Sequence, residues 1–202
     1  MRTLGGIGLA ALLLLAGCDS GYVFEPEDIH EIAKLGVGRP VEEGIAAIHQ
    51  ALRERYPGKI RGEMRWHFNR TGGTLGELTI LYASTKEYVL LFGTPIGSEG
   101  FSGRYADMTV YDCMFAGEMR TYTEGQTEAT VYLPGDCAVL EPGQGKGYNM
   151  TADTWMLEYT RGNIPAALPI GVFAPVSVTA DWHNAWNLFW DYAAAVWDSF
   201  WR

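Results

Sequence analysis

The chain has 202 residues, 48% of them hydrophobic and 13% aromatic, so it can bury one sizeable core and is predicted to form a single domain. Its net charge of -9, with no basic patch to neutralise phosphates, excludes nucleic acid as a partner. The four histidines are scattered, and no Cys or His cluster has the spacing of metal ligands, so we expect no metal site.

The first predicted element is a signal peptide. Arg2 is followed by "LGGIGLAALLLLAGC", which is shorter than the roughly 20 apolar residues that a bilayer span needs. The run ends in "LAGC", which resembles the lipobox of bacterial lipoproteins, where the Cys is acylated and becomes the first mature residue. We therefore predict a signal over residues 1–17, an acylated Cys18 and attachment to the membrane of the bacterial cell envelope. The alternatives are an uncleaved signal anchor and a marginal transmembrane helix.

Two helices are predicted next. The segment "EPEDIHEIAKLGVG" has acids in its first turn and glycines at its end. The segment "PVEEGIAAIHQALRERYPGK" has Pro40 at a plausible first position and stops at "PG". Its Ile45, Ile48 and Leu52 recur at helical spacing, which predicts one buried face.

The region 63–160 is predicted to be an antiparallel barrel or sandwich. Short runs rich in Thr, Tyr, Val and Phe alternate there with glycine-rich turns, from "EMRWHFN" to "TWMLEYT". The glycine-rich pieces "GTPIGSEGFSG" and "GQGKG" lack the context of a phosphate-binding loop, so we interpret both as turns. Cys113 and Cys137 fall in this region; a disulfide and two free buried thiols are both compatible with the sequence.

The C-terminal region 177–202 is predicted to be helical and amphipathic. Tryptophans recur along it at positions 182, 186, 190, 197 and 201. They could pack the helix against the barrel, or they could lie at the surface of a membrane, where Trp and Tyr settle at headgroup level. Five tryptophans in so short a stretch exceed what core packing needs, which favours the membrane.

Two carboxylates lie within predicted strands. In "TWMLEYT", alternation places Glu158 on the same face as Thr154, Met156 and Thr160, the more polar of the two faces, so the pattern alone favours a solvated acid. In "TVYDCMF", Asp112 shares a face with Val110 and Met114, which fits a barrel interior slightly better. Neither pattern identifies a site by itself.

Several long segments resemble the family of fungal C-8 sterol isomerase and the sigma-1 type receptor. They are "RYPGK", "FNRTGG", "EYVLLFGTPIGSEGFSGRY", "TEGQTEATVYLPGD" and "DTWMLEYTRGNIP", and the resemblance runs from about residue 22 to 192. It implies one domain over 18–202 with an α+β fold: a cupin-like antiparallel β-barrel around an apolar cavity, N-terminal helices and C-terminal membrane-facing helices. It also implies a homotrimer.

The resemblance implies two acids facing each other in the cavity. One falls on Glu158. The other falls on Asp112 if one residue is inserted after "SGRY", and on Tyr111 in an ungapped match. The same matching implies a cavity lined by Tyr88, Phe92, Val110, Met119, Leu168 and Tyr192.

The chemistry implied is that of a carboxyl pair sharing a proton. A carboxyl in an apolar cavity has a raised pKa, so a protonated member can act as a general acid at neutral pH. The first hypothesis is a Δ8 to Δ7 double-bond isomerase for a sterol or similar polycyclic lipid, with Glu158 and Asp112 catalytic and no cofactor. The second is a non-catalytic receptor for hydrophobic amines and lipids, with Glu158 as the counter-ion.

Overall fold

The computed structural model describes residues 21–169, 171 and 174–201. The predicted signal peptide and Cys18 lie outside these residues. The first two helices are α1, Pro26–Lys34, and α2, Val41–Arg55. Each has a proline at its start and two acids in its first turn, where they complement the positive end of the helix dipole. The predicted apolar face of α2 is confirmed, because Ile45, Ile48 and Leu52 are buried.

Ten strands within the described residues form two antiparallel sheets. They are β1 Trp66–Asn69, β2 Gly76–Ala83, β3 Glu87–Thr94, β4 Ser98–Phe101, β5 Met108–Ala116, β6 Met119–Tyr122, β7 Thr130–Tyr132, β8 Cys137–Leu140, β9 Gly147–Met150 and β10 Thr154–Gly162. The large sheet has the order β1-β2-β3-β10-β5-β8, and the small sheet has the order β4-β9-β6-β7. The helices and antiparallel sheets confirm the predicted α+β class, but the described strands form two sheets rather than the single closed barrel that was expected.

Two glycine-rich segments that were interpreted as turns also supply strands. Ser98–Phe101, inside "GTPIGSEGFSG", is β4, and Gly147, the last residue of "GQGKG", begins β9. The two strands pair with each other in the small sheet. The prediction failed because glycine in these strands permits close contact rather than a turn: a Cβ on Gly100 would lie 2.1 Å from Oγ1 of Thr74.

Strand β10 lies at the centre of the large sheet, between β3 and β5. One of its faces packs on α1 and α2 through Trp155, Leu157 and Tyr159. The other face carries Met156 and Glu158 and looks toward the small sheet and the C-terminal helix. Both faces are therefore covered, and the expectation from alternation alone that Glu158 faces bulk water is wrong.

The C-terminal part continues with a 3-10 turn, Ile164–Ala167, and two helices, α3, Ala174–Thr179, and α4, Trp182–Trp201. One face of α4 packs on the large sheet through Leu188, Tyr192, Ala195 and Val196. The five tryptophans lie on its other side and are 52–76% exposed, so they do not pack into the core. Within the described ranges, no helix combines the length and the hydropathy needed to cross a bilayer.

Cys113 and Cys137 form a disulfide between β5 and β8, where they are direct cross-strand partners. The sequence left open a disulfide and two free buried thiols, and the structure contains the disulfide. It joins an edge strand to the strand that carries Asp112, and it closes a loop with a sequence separation of 24 residues.

Replacing both cysteines by alanine should lower the free energy of unfolding by about 3 kcal/mol, because the unfolded chain loses a cross-link across a loop of this length. Urea unfolding of the oxidised wild type and of the double variant measures the difference. Reductant should destabilise the wild type and leave the double variant unchanged. Equal stability of the oxidised wild type and the double variant would contradict the expectation.

Candidate functional site

A cavity of about 200 Å³ lies between the inner face of the large sheet, the small sheet and α4. All eight side chains that the family resemblance assigned to the cavity line it: Tyr88, Phe92, Val110, Asp112, Met119, Glu158, Leu168 and Tyr192. Strand alternation explains the arrangement, because Tyr88 and Phe92 are four residues apart on β3 and Val110 and Asp112 two residues apart on β5. The remaining wall is mostly apolar, with Leu78, Ile80, Leu90, Leu140, Met156 and Leu188 among its members.

Glu158 and Asp112 are direct partners in the register of β10 and β5. Side chains of directly opposed residues project from the same face of a sheet at close range, so the two acids face the cavity together. Tyr111, the alternative from the ungapped match, lies on the opposite face, where its ring stacks on Tyr159 at 5.6 Å between centroids. The insertion after "SGRY" therefore gives the match that places an acid in the cavity.

The carboxyl of Glu158 is adapted to hold a proton. Its pKa is raised from 4.5 to about 7, because burial and, second, the negative charge of Asp112 outweigh the hydrogen bond from Tyr88 and the charge of Lys146, which both lower it. Oη of Tyr88 donates to Oε1 of Glu158 at 2.5 Å. Glu158 is partly exposed, and that exposure is to the cavity that it lines. At neutral pH the group is thus poised between acid and carboxylate.

Asp112 has a different environment, because it forms an ion pair with Lys146. Nζ of Lys146 lies 2.5 Å from Oδ2 of Asp112, and both residues are only 6% exposed. Glu158 has no such cationic partner in contact with it, so the two facing acids are not equivalent. Sequence reasoning missed Lys146, which lies in the "GQGKG" segment that was interpreted as a turn.

Two further tyrosines complete the polar part of the wall. Burial raises the pKa of Tyr105 to about 12, with a smaller contribution from the charge of Glu158, and it raises the pKa of Tyr148 as well. The hydroxyl of Tyr148 is hydrogen-bonded to Oγ1 of Thr74. Both phenols therefore stay neutral near pH 7. Tyr105 belongs to "SGRY", which is part of a segment that carries the family resemblance. No pattern in the sequence identified either tyrosine as part of the cavity wall.

No group of three or more His, Cys, Asp and Glu side chains within the described part of the chain could hold a metal ion. The polar groups of the cavity are instead two carboxyls, one ammonium and several phenols. Chemically, such a set can donate a proton from Glu158, accept one back, and stabilise a positive charge near Asp112.

Replacing Glu158 by Gln should stabilise the protein at alkaline pH. Folded Glu158 keeps its proton up to about pH 7, whereas the unfolded chain loses it near 4.5, so the free energy of unfolding of the wild type falls as pH rises between these values. The variant avoids this loss, and above pH 7 it should be more stable than the wild type by up to about 3 kcal/mol.

The measurement is urea unfolding of both proteins at about pH 4 and about pH 8, with the difference expected only at the higher value. Glu128→Gln, which removes an exposed carboxyl, is the control and should show no such gain. A Glu158→Gln variant whose stability relative to the wild type is the same at both pH values would contradict the assignment.

Comparison with known proteins places the whole fold in one family. The family described as "ERG2 and Sigma1 receptor like protein" matches residues 4–202. "Protein erg2 homolog" of Dictyostelium discoideum is 40% identical over 153 residues, which cover 76% of this chain but only 65% of that protein. "Sigma non-opioid intracellular receptor 1" of Gallus gallus is 37% identical over 184 residues, which cover 87% of this chain and 82% of the receptor.

Among solved structures, an RmlC-like cupin from Shewanella frigidimarina is similar with a TM-score of 0.42, at 17% identity over 52% of this chain and 89% of the cupin. The sequence matches extend over far more of the chain than this structural match. By the family match and by its identity with both relatives, the chain belongs to the ERG2 and sigma-1 receptor-like family.

Proposed function

We propose that the protein isomerises a ring double bond of a sterol or similar polycyclic lipid from Δ8 to Δ7 inside the cavity. The observation that supports the proposal most is the pair of unequal acids: Glu158, with a pKa of about 7, faces Asp112, which Lys146 holds in an ion pair. A proton donor in an apolar cavity is what an alkene protonation needs, and the carboxylate that it leaves stabilises the cation where it arises.

The reaction has two proton transfers and no net change in protons. Glu158 gives its proton to one carbon of the Δ8 double bond, which leaves a tertiary carbocation in the ring and a carboxylate on the protein. The carboxylate left on Glu158 stabilises the positive charge, and the apolar wall keeps water from trapping it. A carboxylate oxygen of the pair then accepts the proton from the neighbouring ring carbon, and the new double bond forms at Δ7. Tyr88 keeps Glu158 oriented through its hydrogen bond.

A second candidate function is the binding of hydrophobic amines without catalysis. The size of the cavity favours it, because about 200 Å³ is below the roughly 300–1,000 Å³ of typical ligand pockets. A small amine fits without rearrangement, whereas a sterol has to widen the cavity, and the wall formed by α4 is the part that is not tied into a sheet. An ammonium ion would pair with ionised Glu158 and contact the surrounding aromatic rings.

The experiment that tests the first candidate is incubation of detergent-solubilised protein with a Δ8-sterol in deuterated water. Isomerisation predicts a Δ7 product with one deuterium at the carbon that was protonated. Absence of any product, with saturable amine binding by the same preparation, would reject the isomerase and leave the receptor.

Membrane attachment is part of the proposal. The exposed tryptophans of α4 would lie at headgroup level, next to the α4 wall through which a lipid would enter. An acylated Cys18 would hold the protein on the bacterial envelope, and the disulfide between Cys113 and Cys137 is compatible with that oxidising location. Mass spectrometry of the purified membrane form tests the acylation: an unmodified Cys18 with the whole leader retained would reject it.

The homotrimer is proposed from the family resemblance. Strands β6 to β8 and their connections expose Tyr122, Val131, Leu133 and Val139, and these apolar side chains would be buried by self-association. Sedimentation of the detergent-solubilised protein measures the oligomeric state directly.

A further inference from the structure

Lys146 is the buried cation of the cavity wall. It precedes β9, it is 6% exposed, and its Nζ contacts Oδ2 of Asp112 rather than Glu158. Two hydrogen bonds with Ser102 hold the main chain of Lys146: its amide donates to the side-chain Oγ of Ser102, and the amide of Ser102 donates to its carbonyl. The ammonium is therefore positioned on a fixed part of the wall.

The charge of the site follows from these contacts. Within the described residues, the titratable groups that line the cavity with Glu158 come from six places: Asp112 from β5, Lys146 from the β8–β9 connection, Tyr88 from β3, Tyr105 from the β4–β5 connection, Tyr148 from β9 and Tyr192 from α4. The phenols are neutral near pH 7, and the ion pair of Asp112 with Lys146 has no net charge. With protonated Glu158 the site is thus neutral overall, and it becomes negative only when Glu158 loses its proton.

We propose that Lys146 is a specificity-determining residue, which neutralises Asp112 and thereby makes the cavity select uncharged lipids over hydrophobic cations. An ammonium ion can then bind only when Glu158 gives up its proton, whereas an uncharged lipid binds the protonated form that donates to the alkene. This inference deepens the proposed function by naming what restricts its substrates.

Removing the ammonium of Lys146 should invert the preference of the cavity for uncharged lipids over hydrophobic cations. In Lys146→Met, two carboxyls face each other without a counter-ion, and such a pair holds one proton and one negative charge. The site is then negative while it is still protonated, so an ammonium ion can bind without expelling a proton. Lys146→Arg keeps the positive charge at the same place and should keep the behaviour of the wild type.

The test is calorimetric titration with N,N-dimethylbenzylamine, whose ammonium stays protonated at both pH values used. Isobutylbenzene, in which carbon replaces the nitrogen, is the uncharged control. At about pH 6 the wild type and Lys146→Arg should release close to one proton per amine bound, seen as a dependence of the heat on the buffer, and Lys146→Met should release almost none. Lys146→Met should bind the amine about tenfold more tightly than the wild type at about pH 6 and equally well at about pH 8.

Two results would overturn the inference. The first is amine binding by the wild type at about pH 6 without proton release, since a free negative charge would then exist beside Lys146. The second is an increase in amine affinity in Lys146→Met that is the same at both pH values or that also appears for isobutylbenzene. Such an increase would come from the larger cavity of the variant and not from its charge. If the wild type binds the amine at neither pH, the inference also fails. If Lys146→Met does not fold, the inference is still tested by the number of protons that the wild type and Lys146→Arg release when they bind the amine. None of these measurements needs turnover, so a protein that fails to isomerise sterols would leave the outcome readable.

Discussion

Glu158→Gln should lower the rate of sterol isomerisation about 100- to 10,000-fold, which is the usual contribution of a general acid. Gln has the shape of Glu and can still accept the hydrogen bond from Tyr88, but it has no proton to give to the alkene. The loss should therefore appear in the rate of deuterium incorporation while the fold is kept. Because the variant avoids the cost of burying a carboxylate, it should unfold at higher urea concentration than the wild type above pH 7.

Two controls separate this role from a general disturbance of the cavity. Asp112→Asn should also lower the rate, since it leaves Lys146 without its partner, and an unpaired ammonium in the cavity opposes the formation of a carbocation. Glu128→Gln, which is exposed, should have wild-type activity. Full activity of Glu158→Gln would show that another group protonates the substrate.

Asp191→Ala should lower the free energy of unfolding by about 3–5 kcal/mol, because it leaves the largely buried guanidinium of Arg61 without its counter-ion. Asp191 lies on the inner side of α4 and is 4% exposed. Oδ1 accepts from Nη2 of Arg61 at 2.8 Å, and Oδ2 lies 3.2 Å from Nε2 of His67. Burial by itself would raise the pKa of Asp191, but the hydrogen bonds and charges of His67 and Arg61 outweigh it and lower the pKa below 3.8.

The lower stability of Asp191→Ala should also affect function, because α4 supplies Leu188 and Tyr192 to the cavity. A loosened α4 should weaken ligand binding even at temperatures where the sheets stay folded. Urea unfolding and amine titration of Asp191→Ala measure the two effects. Glu124→Ala, which removes an exposed partner of Arg104, is the matched control and should cost less than about 1 kcal/mol. A similar, small loss in both variants would show that the Asp191 cluster does not hold α4.

The sequence predicted the helices and most of the strands because their signals are local. Proline and acids begin α1 and α2, and the apolar residues of α2 recur at helical spacing. Strands β4 and β9 were missed because they are short and glycine-rich, and because each is completed only by its partner in the small sheet. That two sheets form instead of a closed barrel depends on pairings between distant segments, which no local pattern shows.

The site shows where local reasoning stops. Alternation places Glu158 correctly on one face of β10 but cannot show that the small sheet and α4 cover that face. Only the resemblance of "DTWMLEYTRG" to a known family moved Glu158 into the cavity. Lys146 was missed for a similar reason: a lysine between glycines resembles an exposed turn, and its contact with Asp112 joins residues 34 positions apart in the chain.

The structure of α4 is compatible with both interpretations of the C-terminal sequence, packing against the sheets and contact with a membrane surface. The helix packs on the large sheet, as one interpretation had it, but it does so with Leu188, Tyr192, Ala195 and Val196. The tryptophans remain free for the membrane contact that the other interpretation favoured, and that contact remains a proposal. Composition alone could not separate the two faces, because the assignment depends on how the helix is rotated about its axis.

Glu158 should carry its proton below about pH 7, and infrared difference spectroscopy tests this most directly. The spectrum of the wild type minus that of Glu158→Gln should show the carbonyl stretch of one protonated carboxyl at about pH 6, and this band should lose half its intensity near pH 7. A Glu158 that gives only carboxylate bands at about pH 6 would contradict the account, because the cavity would then hold no acid to protonate an alkene.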